Sequence, residues 1–133
     1  MAVRVVEPEG SMKIEGAAQG VVATGSRTLY IAGQTAQDEG GAVVGVGDFS
    51  AQCEQVFENL DRVLAAAGAT VADIAKTTIY IVDYDDVKLA QFYECLYAHY
   101  GSTPPESAGS LVGVDRLYMP GLLIEMDAIA VLD

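Results

Sequence analysis

The stretch that decides the fold is LLIEMDAIAVL, residues 122–132. It follows a Pro120-Gly121 turn and predicts a β-strand, in which successive side chains point to opposite faces of a sheet. One face is wholly apolar and carries Leu122, Ile124, Met126, Ala128, Ala130 and Leu132. The other face carries Glu125 and Asp127 among apolar residues, with the two carboxylates roughly 6.5–7 Å apart along the strand. Other parts of the protein must therefore pack against both faces of this strand.

A sheet with two apolar faces and only two helices needs a second covering surface. Another copy of the same chain is the natural one, and we therefore predict a homo-oligomer. A carboxylate held at such an interface is partly desolvated, which raises its pKa toward the range useful for general acid–base catalysis. The alternative is that Glu125 and Asp127 only pair with Lys or Arg across the interface.

Two helices precede the last two strands. The first follows a Gly-rich loop, where Asp48 or Ser50 can cap it, and has its apolar side chains at helical spacing. These are Val56, Leu60, Val63, Leu64 and Ala67, with Gln52, Glu54, Asn59, Asp61 and Arg62 mainly on the other side. The second helix follows three aspartates, Asp83, Asp85 and Asp86, which suit helix capping. Its apolar face is Leu89, Phe92, Tyr93, Leu96 and Tyr100.

The remaining strands are predicted near residues 3–6, 21–24, 28–32, 74–82 and 107–114. Gly25-Ser26-Arg27 separates the second and third strands and is typical of a hairpin, with Gly25 free to take a positive φ. The order β-β-β-α-β-α-β-β predicts an α/β (α+β) fold in which a six-stranded mixed sheet carries two helices on one face. Residues 1–133 are expected to form a single domain.

Composition excludes several classes of function. Seven basic against nineteen acidic residues give a formal net charge of −12, and the basic residues are scattered, so nucleic acid is not an expected partner. No apolar run reaches the roughly 20 residues of a membrane span. Cys53 and Cys95 form no C-x-x-C motif, which favours two reduced thiols in a cytoplasmic protein.

The usual cofactor and metal motifs are not found. Gly45-Val46-Gly47 lacks the third glycine of a dinucleotide-binding loop, and no Walker lysine follows it. His99 is the only histidine, so neither a zinc site nor a Ser-His-Asp triad is expected. We predict no cofactor and no metal.

The chain resembles the RidA/YjgF family, also called reactive-intermediate deaminases, over about residues 15–131. The order and spacing of several short motifs carry the resemblance. They are Gln19-Gly20, Ala32-Gly33-Gln34, Gly47-Asp48-Phe49, Asn59-Leu60, Lys76-Thr77-Thr78-Ile79-Tyr80, Val112-Gly113-Val114, Pro120-Gly121-Leu122-Leu123 and Glu125-Met126-Asp127-Ala128-Ile129-Ala130.

The resemblance implies a chorismate-mutase-like fold and a homotrimer whose sheets form a central barrel, with small-molecule pockets at the subunit interfaces. It also implies hydrolysis of 2-imino or enamine acids to 2-keto acids, with release of ammonia. In the family, an arginine clamps the substrate carboxylate, for which a guanidinium offers bidentate geometry. A glutamate on the last strand positions or activates water, and this residue is Glu125.

The arginine is missing from this chain. Counted back from Pro120-Gly121, its position is Gly109, and no Arg or Lys lies between Lys88 and Arg116. Arg116 or Arg27 could in principle reach in from a neighbouring subunit, but nothing in the sequence favours this. Losing a desolvated bidentate pair costs about 2–5 kcal/mol, so the ordinary 2-imino acid reaction is not expected.

Other pocket positions that the resemblance assigns are also changed. Ala17 replaces a tyrosine, Ala32 a serine, Ala90 an asparagine and Leu111 a cysteine, while Gly33, Gln34 and Ser110 complete the expected lining. A polar, anion-binding pocket has thus become roomier and more apolar.

The sequence and the resemblance support two hypotheses for the function. The first is an enzyme acting on an imine, enamine or related reactive intermediate, by hydrolysis, tautomerisation or cyclisation, with Glu125 as the acid–base. The alternative is a non-catalytic small-ligand-binding or regulatory trimer. A ribonuclease role, a label often attached to the family, is disfavoured by the −12 charge and by the lack of a basic cleft.

Overall fold

The computed structural model describes residues 3–14, 16–102, 104 and 106–133. It confirms an α+β fold with six strands and two helices in the predicted order. The elements are β1 (Val3–Val6), β2 (Gly20–Ala23), β3 (Arg27–Thr35), α1 (Phe49–Ala66), β4 (Ile74–Val82), α2 (Asp86–Tyr100), β5 (Ala108–Val114) and β6 (Ile124–Leu132), with a short 3₁₀ turn at Val71–Asp73 before β4.

The strands form two sheets, so the prediction of one six-stranded sheet is wrong for the isolated chain. β1 and β2 form a two-stranded sheet, and the larger sheet has the order β3-β6-β4-β5. In the larger sheet only β4 and β5 are parallel. This mixed pairing is the expected result of a helical crossover from β4 through α2 to β5.

The predicted hairpin between β2 and β3 does not form. β2 pairs instead with β1, with Val3 opposite Ala23 and Val6 opposite Gly20. Gly25, expected to turn the chain with a positive φ, is not among the glycines that have one. Glycine is required here because the backbone of Gly25 lies close to the backbone of Leu132, and an added Cβ atom would overlap the Leu132 oxygen.

The predicted alternation along β6 is confirmed. Ile124, Met126, Ala128, Ala130 and Leu132 are buried in the core beneath the helices, whereas the residues between them are half-buried on the opposite face. We call this opposite face the open face of the sheet. Its apolar side chains have no covering element within the described residues.

The helix α1 begins and packs largely as predicted. Asp48 caps it by accepting a hydrogen bond from the Ala51 N–H at 3.0 Å. The prediction for Gln52 is wrong, because this side chain is fully buried. Its Nε2 atom donates to the Gly121 oxygen at 2.8 Å and to the Gly45 oxygen at 3.2 Å, and its Oε1 atom accepts from the Leu123 N–H at 2.8 Å. Gln52 therefore ties two loops to the helix.

A polar cluster joins α2 to α1. Asp85 caps α2, and His99 lies near its other end. The His99 ring contacts Glu54 through Nδ1 at 2.8 Å and Asp61 through Nε2 at 2.6 Å. The Tyr100 hydroxyl also donates to Asp61, at 2.9 Å. Because each ring nitrogen contacts a carboxylate of α1, the His99 imidazole links α2 to α1.

The charge state of His99 should make the fold more stable in mild acid. Burial alone lowers the pKa of His99, but hydrogen bonds to Asp61 and Glu54 outweigh it and raise the pKa above 6.5. The protonated form thus stabilises the fold below about pH 6.5, and this contribution is lost as pH rises through the folded-state pKa. We expect the thermal midpoint to decrease between about pH 6 and pH 9, and the decrease to be smaller in His99→Gln. An equal decrease in both proteins would contradict the link.

Two further observations concern the described residues. Neither helix is long and apolar enough to cross a membrane. No group of three or more His, Cys, Asp or Glu side chains in this part of the chain is arranged to hold a metal ion.

Candidate functional site

Glu125 lies half-buried on the open face of the sheet. In the ladder it is opposite Thr35 on β3 and Tyr80 on β4. A β-bulge in β3 between Ile31 and Gln34 brings the backbone of Gly33 directly over its side chain. A Cβ atom added to Gly33 would overlap the Glu125 Oε2 atom and lie 2.7 Å from its Cδ atom. The carboxylate therefore requires glycine at this position.

The neighbourhood of Glu125 favours its protonated form. Burial raises the pKa of Glu125, and the negative charge of Asp127 raises it further. The Glu125 side chain accepts no hydrogen bond from the part of the chain that the structure describes. The carboxyl oxygens are therefore available to contact a ligand. Because its pKa is raised, Glu125 stays protonated to a higher pH than an ordinary glutamate does.

Asp127 has a partner on the same face. The Tyr80 hydroxyl donates to the Asp127 Oδ2 atom at 3.3 Å. The charge of Asp127 and partial burial raise the pKa of Tyr80, so the phenol remains a neutral donor. This hydrogen bond holds the Asp127 carboxyl on the same face of β6 as Glu125.

The predicted site residues fall into two groups at opposite edges of the larger sheet. Ala32, Gly33 and Gln34 lie on β3, beside Glu125 on β6. Gly109, Ser110 and Leu111 lie on β5, at the other edge. With β6 and β4 between them, the edge strands are about 14 Å apart, at roughly 4.8 Å per strand spacing. The two groups therefore do not meet within one chain.

The members of the β5 group also differ in the face they occupy. Gly109 lies on the helix face, where an added Cβ atom would be 3.1 Å from the Thr77 Oγ1 atom. Leu111 packs against the core on that same face. Ser110 is exposed on the other face and accepts a hydrogen bond from the Lys76 Nζ atom at 3.3 Å.

The remaining two predicted residues lie away from Glu125. Ala17 precedes Ala18, whose N–H donates to the Ser107 oxygen at 3.0 Å, and Ala18 pairs with Ala108 at the start of β5. Ala17 therefore belongs with the β5 group. Ala90 is exposed on α2.

The two arginines considered as substitutes are engaged elsewhere. The Arg27 Nε atom donates to the Asp133 oxygen at 2.7 Å. Arg27 is the first residue of β3, and Thr35, which lies opposite Glu125, is the last. At roughly 3.3 Å per residue along the strand, Arg27 is about 26 Å from Glu125. The Arg116 Nε atom donates to the neighbouring Leu117 oxygen at 3.1 Å. Neither arginine reaches Glu125 of its own chain.

A groove of about 740 Å³ runs between the end of β3 and α1. Its lining is largely polar, and Glu125 does not contribute to it. The lining residues are Gly33, Gln34, Thr35, Gln37, Asp38, Glu39, Gln55, Asn59, Arg62 and Val63.

Asn59 anchors this groove. Its Nδ2 atom donates to the backbone oxygens of Thr35 at 2.9 Å and of Gln37 at 3.0 Å. The Arg62 Nη1 atom donates to the Asn59 Oδ1 atom at 3.0 Å. The helical pattern predicts Arg62 on the polar face of α1, but it does not predict that Arg62 lines the same groove as Gly33 and Gln34. Residue spacing along α1 carries no information about which part of β3 packs beside the helix.

Comparison with known proteins identifies the family. The sequence profile of the Endoribonuclease L-PSP family matches residues 13–132. A RutC family protein of Pyrococcus horikoshii is 37% identical over 102 residues, 77% of each chain. The 2-iminobutanoate/2-iminopropanoate deaminase of Salmonella typhimurium is 40% identical over 85 residues, 63% of this chain and 64% of that protein. A crystal structure is known of YyfB from Yersinia pestis, a Rid family protein described as of unknown function. Its sequence is 40% identical to this chain, and the two structures superpose with a TM-score of 0.90 over 99% of this chain and 100% of that chain.

These matches and the α+β fold define a small protein related to imine and enamine deaminases. The chain belongs to the Endoribonuclease L-PSP family, which is the RidA/YjgF family that the sequence motifs indicated.

Proposed function

We propose that this chain is a RidA-like enzyme that processes an imine, enamine or related reactive intermediate, with Glu125 as its general acid–base. The reaction is a hydrolysis, a tautomerisation or a cyclisation. The observation that supports the proposal is the half-buried Glu125 carboxyl, which lies against Gly33 and beside Asp127 and has a raised pKa. A general acid–base works best when its pKa is near the working pH.

The chemistry of the hydrolytic case is simple to assign. Water adds to the carbon of the C=N bond while Glu125 takes a proton from that water. The same carboxyl gives the proton to nitrogen, which yields the carbinolamine. Glu125 then takes the hydroxyl proton of the carbinolamine and passes it to the amine nitrogen as the C–N bond breaks, which releases a carbonyl compound and ammonia. Every proton needed passes through one group, so neither a metal nor a cofactor enters this proposal.

The proposal includes a homotrimer whose open faces enclose a central barrel, with a small-molecule ligand at each subunit interface. The two groups of site residues lie at opposite edges of the sheet, which supports a head-to-tail ring that joins one edge to the other. The half-buried apolar residues of β6, Ile129 and Val131, are then covered by neighbouring copies. We place the protein in the cytoplasm, where Cys53 and Cys95 stay reduced.

The substrate is proposed not to be an ordinary 2-imino acid. Gly109 stands at the position that the resemblance assigns to the carboxylate-binding arginine, Ala17 and Ala32 make the same pocket roomier, and Leu111 makes it more apolar. A ribonuclease activity is not part of the proposal, because a chain of net charge −12 repels the phosphates of RNA.

Two imines test the substrate class. An amine oxidase generates a carboxylate-free imine, and an amino-acid oxidase generates the matching 2-imino acid. We expect the protein to speed the loss of the first more than that of the second, because no arginine pairs with the carboxylate. A preference for the 2-imino acid would contradict the altered pocket. Loss of both at the rate in buffer would favour the alternative, a ligand-binding trimer without turnover.

The Asp127→Asn variant should change the pH dependence of any turnover. Removing this negative charge lowers the pKa of Glu125, although the contribution of burial remains. We therefore expect the ionisation of Glu125 in the profile of log kcat/KM against pH to move to lower pH. The exposed Asp115→Asn is the matched control and should leave the profile in place. An unmoved ionisation in Asp127→Asn would contradict the coupling between the two carboxylates.

A further inference from the structure

Cys53 and Cys95 lie side by side between the two helices. Cys53 is on α1 and Cys95 is on α2, and both are free thiols. The Cys95 Sγ atom donates to the Ser50 oxygen at 3.7 Å, and Ser50 lies about one turn before Cys53 on α1. The two thiols are themselves close enough to interact through a side-chain hydrogen bond. Each cysteine therefore has the other as a neighbour, although they are far apart in the sequence.

The helices are packed against each other at this point. Phe57, about one turn after Cys53, contacts the Phe92 ring with centroids 5.8 Å apart and the His99 ring with centroids 5.5 Å apart. A disulfide needs its two Cβ atoms about 3.5–4.5 Å apart and its sulfurs at about 2.05 Å. Because the two thiols already interact across packed helices, side-chain rotation is the main movement that a disulfide requires.

The two thiols differ in their access to solvent. Cys53 is fully buried, whereas Cys95 is only partly buried. Burial raises the pKa of Cys53, and the neighbouring Cys95 raises it further, so Cys53 stays a protonated thiol. A small oxidant therefore reaches Cys95 first, and Cys53 lies directly behind it.

We propose that Cys95 and Cys53 form a redox modification site, in which a peroxide oxidises Cys95 and Cys53 then closes a reversible disulfide between α2 and α1. In a reducing compartment the pair rests as two thiols, and the disulfide forms only when peroxide is present. A small dithiol restores the resting state by attacking the reachable sulfur of Cys95.

The reaction balances in two steps. The Cys95 thiolate attacks one oxygen of hydrogen peroxide, the O–O bond breaks, and the other oxygen takes up a proton and leaves as water. Cys95 is then a sulfenic acid. The Cys53 sulfur attacks the Cys95 sulfur, the S–O bond breaks, and the hydroxyl group leaves as water with the Cys53 proton. Two thiols are oxidised to one disulfide, and one peroxide is reduced to two waters.

The disulfide joins α2 to the part of α1 that supports the candidate site. Gln52, next to Cys53, binds the Gly121 oxygen and the Leu123 N–H just before β6, the strand that carries Glu125. Oxidation therefore fixes the helix turn that holds the start of this strand. The inference concerns thiol chemistry, and it holds or fails whether or not the protein turns over an imine.

Peptide mass spectrometry tests the site in the unsubstituted protein. The protein is treated with a small excess of hydrogen peroxide, alkylated under denaturing conditions and digested with trypsin. Cleavage after Arg27, Arg62, Lys88 and Arg116 places Cys53 in peptide 28–62 and Cys95 in peptide 89–116. Neither peptide contains methionine, so oxidised methionine does not affect their masses. We expect the two peptides to appear joined after peroxide and separately alkylated after dithiothreitol.

Two matched variants separate the roles of the thiols. Cys53→Ala should stop at the sulfenic acid, which a 1,3-dione traps on peptide 89–116. Cys95→Ala should keep Cys53 as an unreacted thiol under the same treatment, because Cys53 is fully buried. Circular dichroism before oxidation confirms that each variant is folded. Oxidation of Cys53 in folded Cys95→Ala at the rate of the unsubstituted protein would overturn Cys95 as the residue that reacts first.

The thermal midpoint gives a measurement that needs no substitution. We expect oxidation to raise it by about 10 °C and dithiothreitol to reverse the rise, because the cross-link restricts the unfolded chain. Three outcomes would overturn the proposal. They are a lowered midpoint, a disulfide that joins separate chains on a non-reducing denaturing gel, and over-oxidation of Cys95 to a sulfinic acid while Cys53 remains a free thiol.

Discussion

The Glu125→Gln variant is expected to lose about two to four orders of magnitude in kcat, the contribution typical of a positioned general acid–base. Glutamine keeps the size and shape of the side chain against Gly33 but cannot exchange a proton with water or with a leaving nitrogen. The Glu125 side chain accepts no hydrogen bond from the described residues, so the substitution removes no internal side-chain partner. Folding and assembly should therefore be unchanged.

The measurement is release of ammonia, or loss of imine absorbance, under saturating substrate, with light scattering to confirm the oligomeric state. Glu9→Gln is a suitable control because Glu9 is exposed in the loop between β1 and β2. Turnover by Glu125→Gln at the rate of the control would rule out Glu125 as the acid–base. Loss of turnover together with the oligomer would assign Glu125 a structural role instead.

The Gln52→Leu variant is expected to lose about 3 kcal/mol in free energy of unfolding. Leucine fills a similar volume but leaves the oxygens of Gly45 and Gly121 and the N–H of Leu123 without their present partner. Each buried polar group left unpaired costs about 1–3 kcal/mol, and water can recover part of this at the more exposed Gly121. The Leu123 N–H lies two residues before Glu125, so the start of β6 should loosen as well.

Urea unfolding followed by circular dichroism measures this change. The control is Gln55→Leu, on the same helix, which removes one side-chain hydrogen bond to Asn59. We expect less than about 1 kcal/mol for the control. Equal losses in the two variants would mean that Gln52 acts only by filling space.

Local patterns predicted much of this fold. The alternation along β6, the cap at Asp48 and the apolar faces of the helices depend on neighbours within a few residues, which the sequence displays directly. The position of Glu125 on the face away from the helices follows from the same alternation. Its closeness to Asp127 is likewise a property of one strand.

The features that the sequence missed depend on distant partners. Residues 21–32 have the composition of a hairpin, but β2 pairs with β1, and Gly25 lies against Leu132 at the end of β6. Gln52 is polar, so the helical pattern predicts it opposite the apolar face, whereas its acceptors and donor lie in loops up to 71 residues away. The meeting of Gly33 with Glu125 depends on a bulge, which no spacing rule shows.

The separation of the two residue groups on opposite edges of the sheet has a thermodynamic consequence. In the proposed homotrimer, a pocket built from both groups exists only in the assembled ring, so a ligand that binds there would stabilise the ring over free chains by mass action. Apparent ligand affinity should then rise with protein concentration, and ligand should in turn lower the concentration at which chains associate. Recognition of the small molecule and association of the chains are, in this arrangement, one coupled equilibrium.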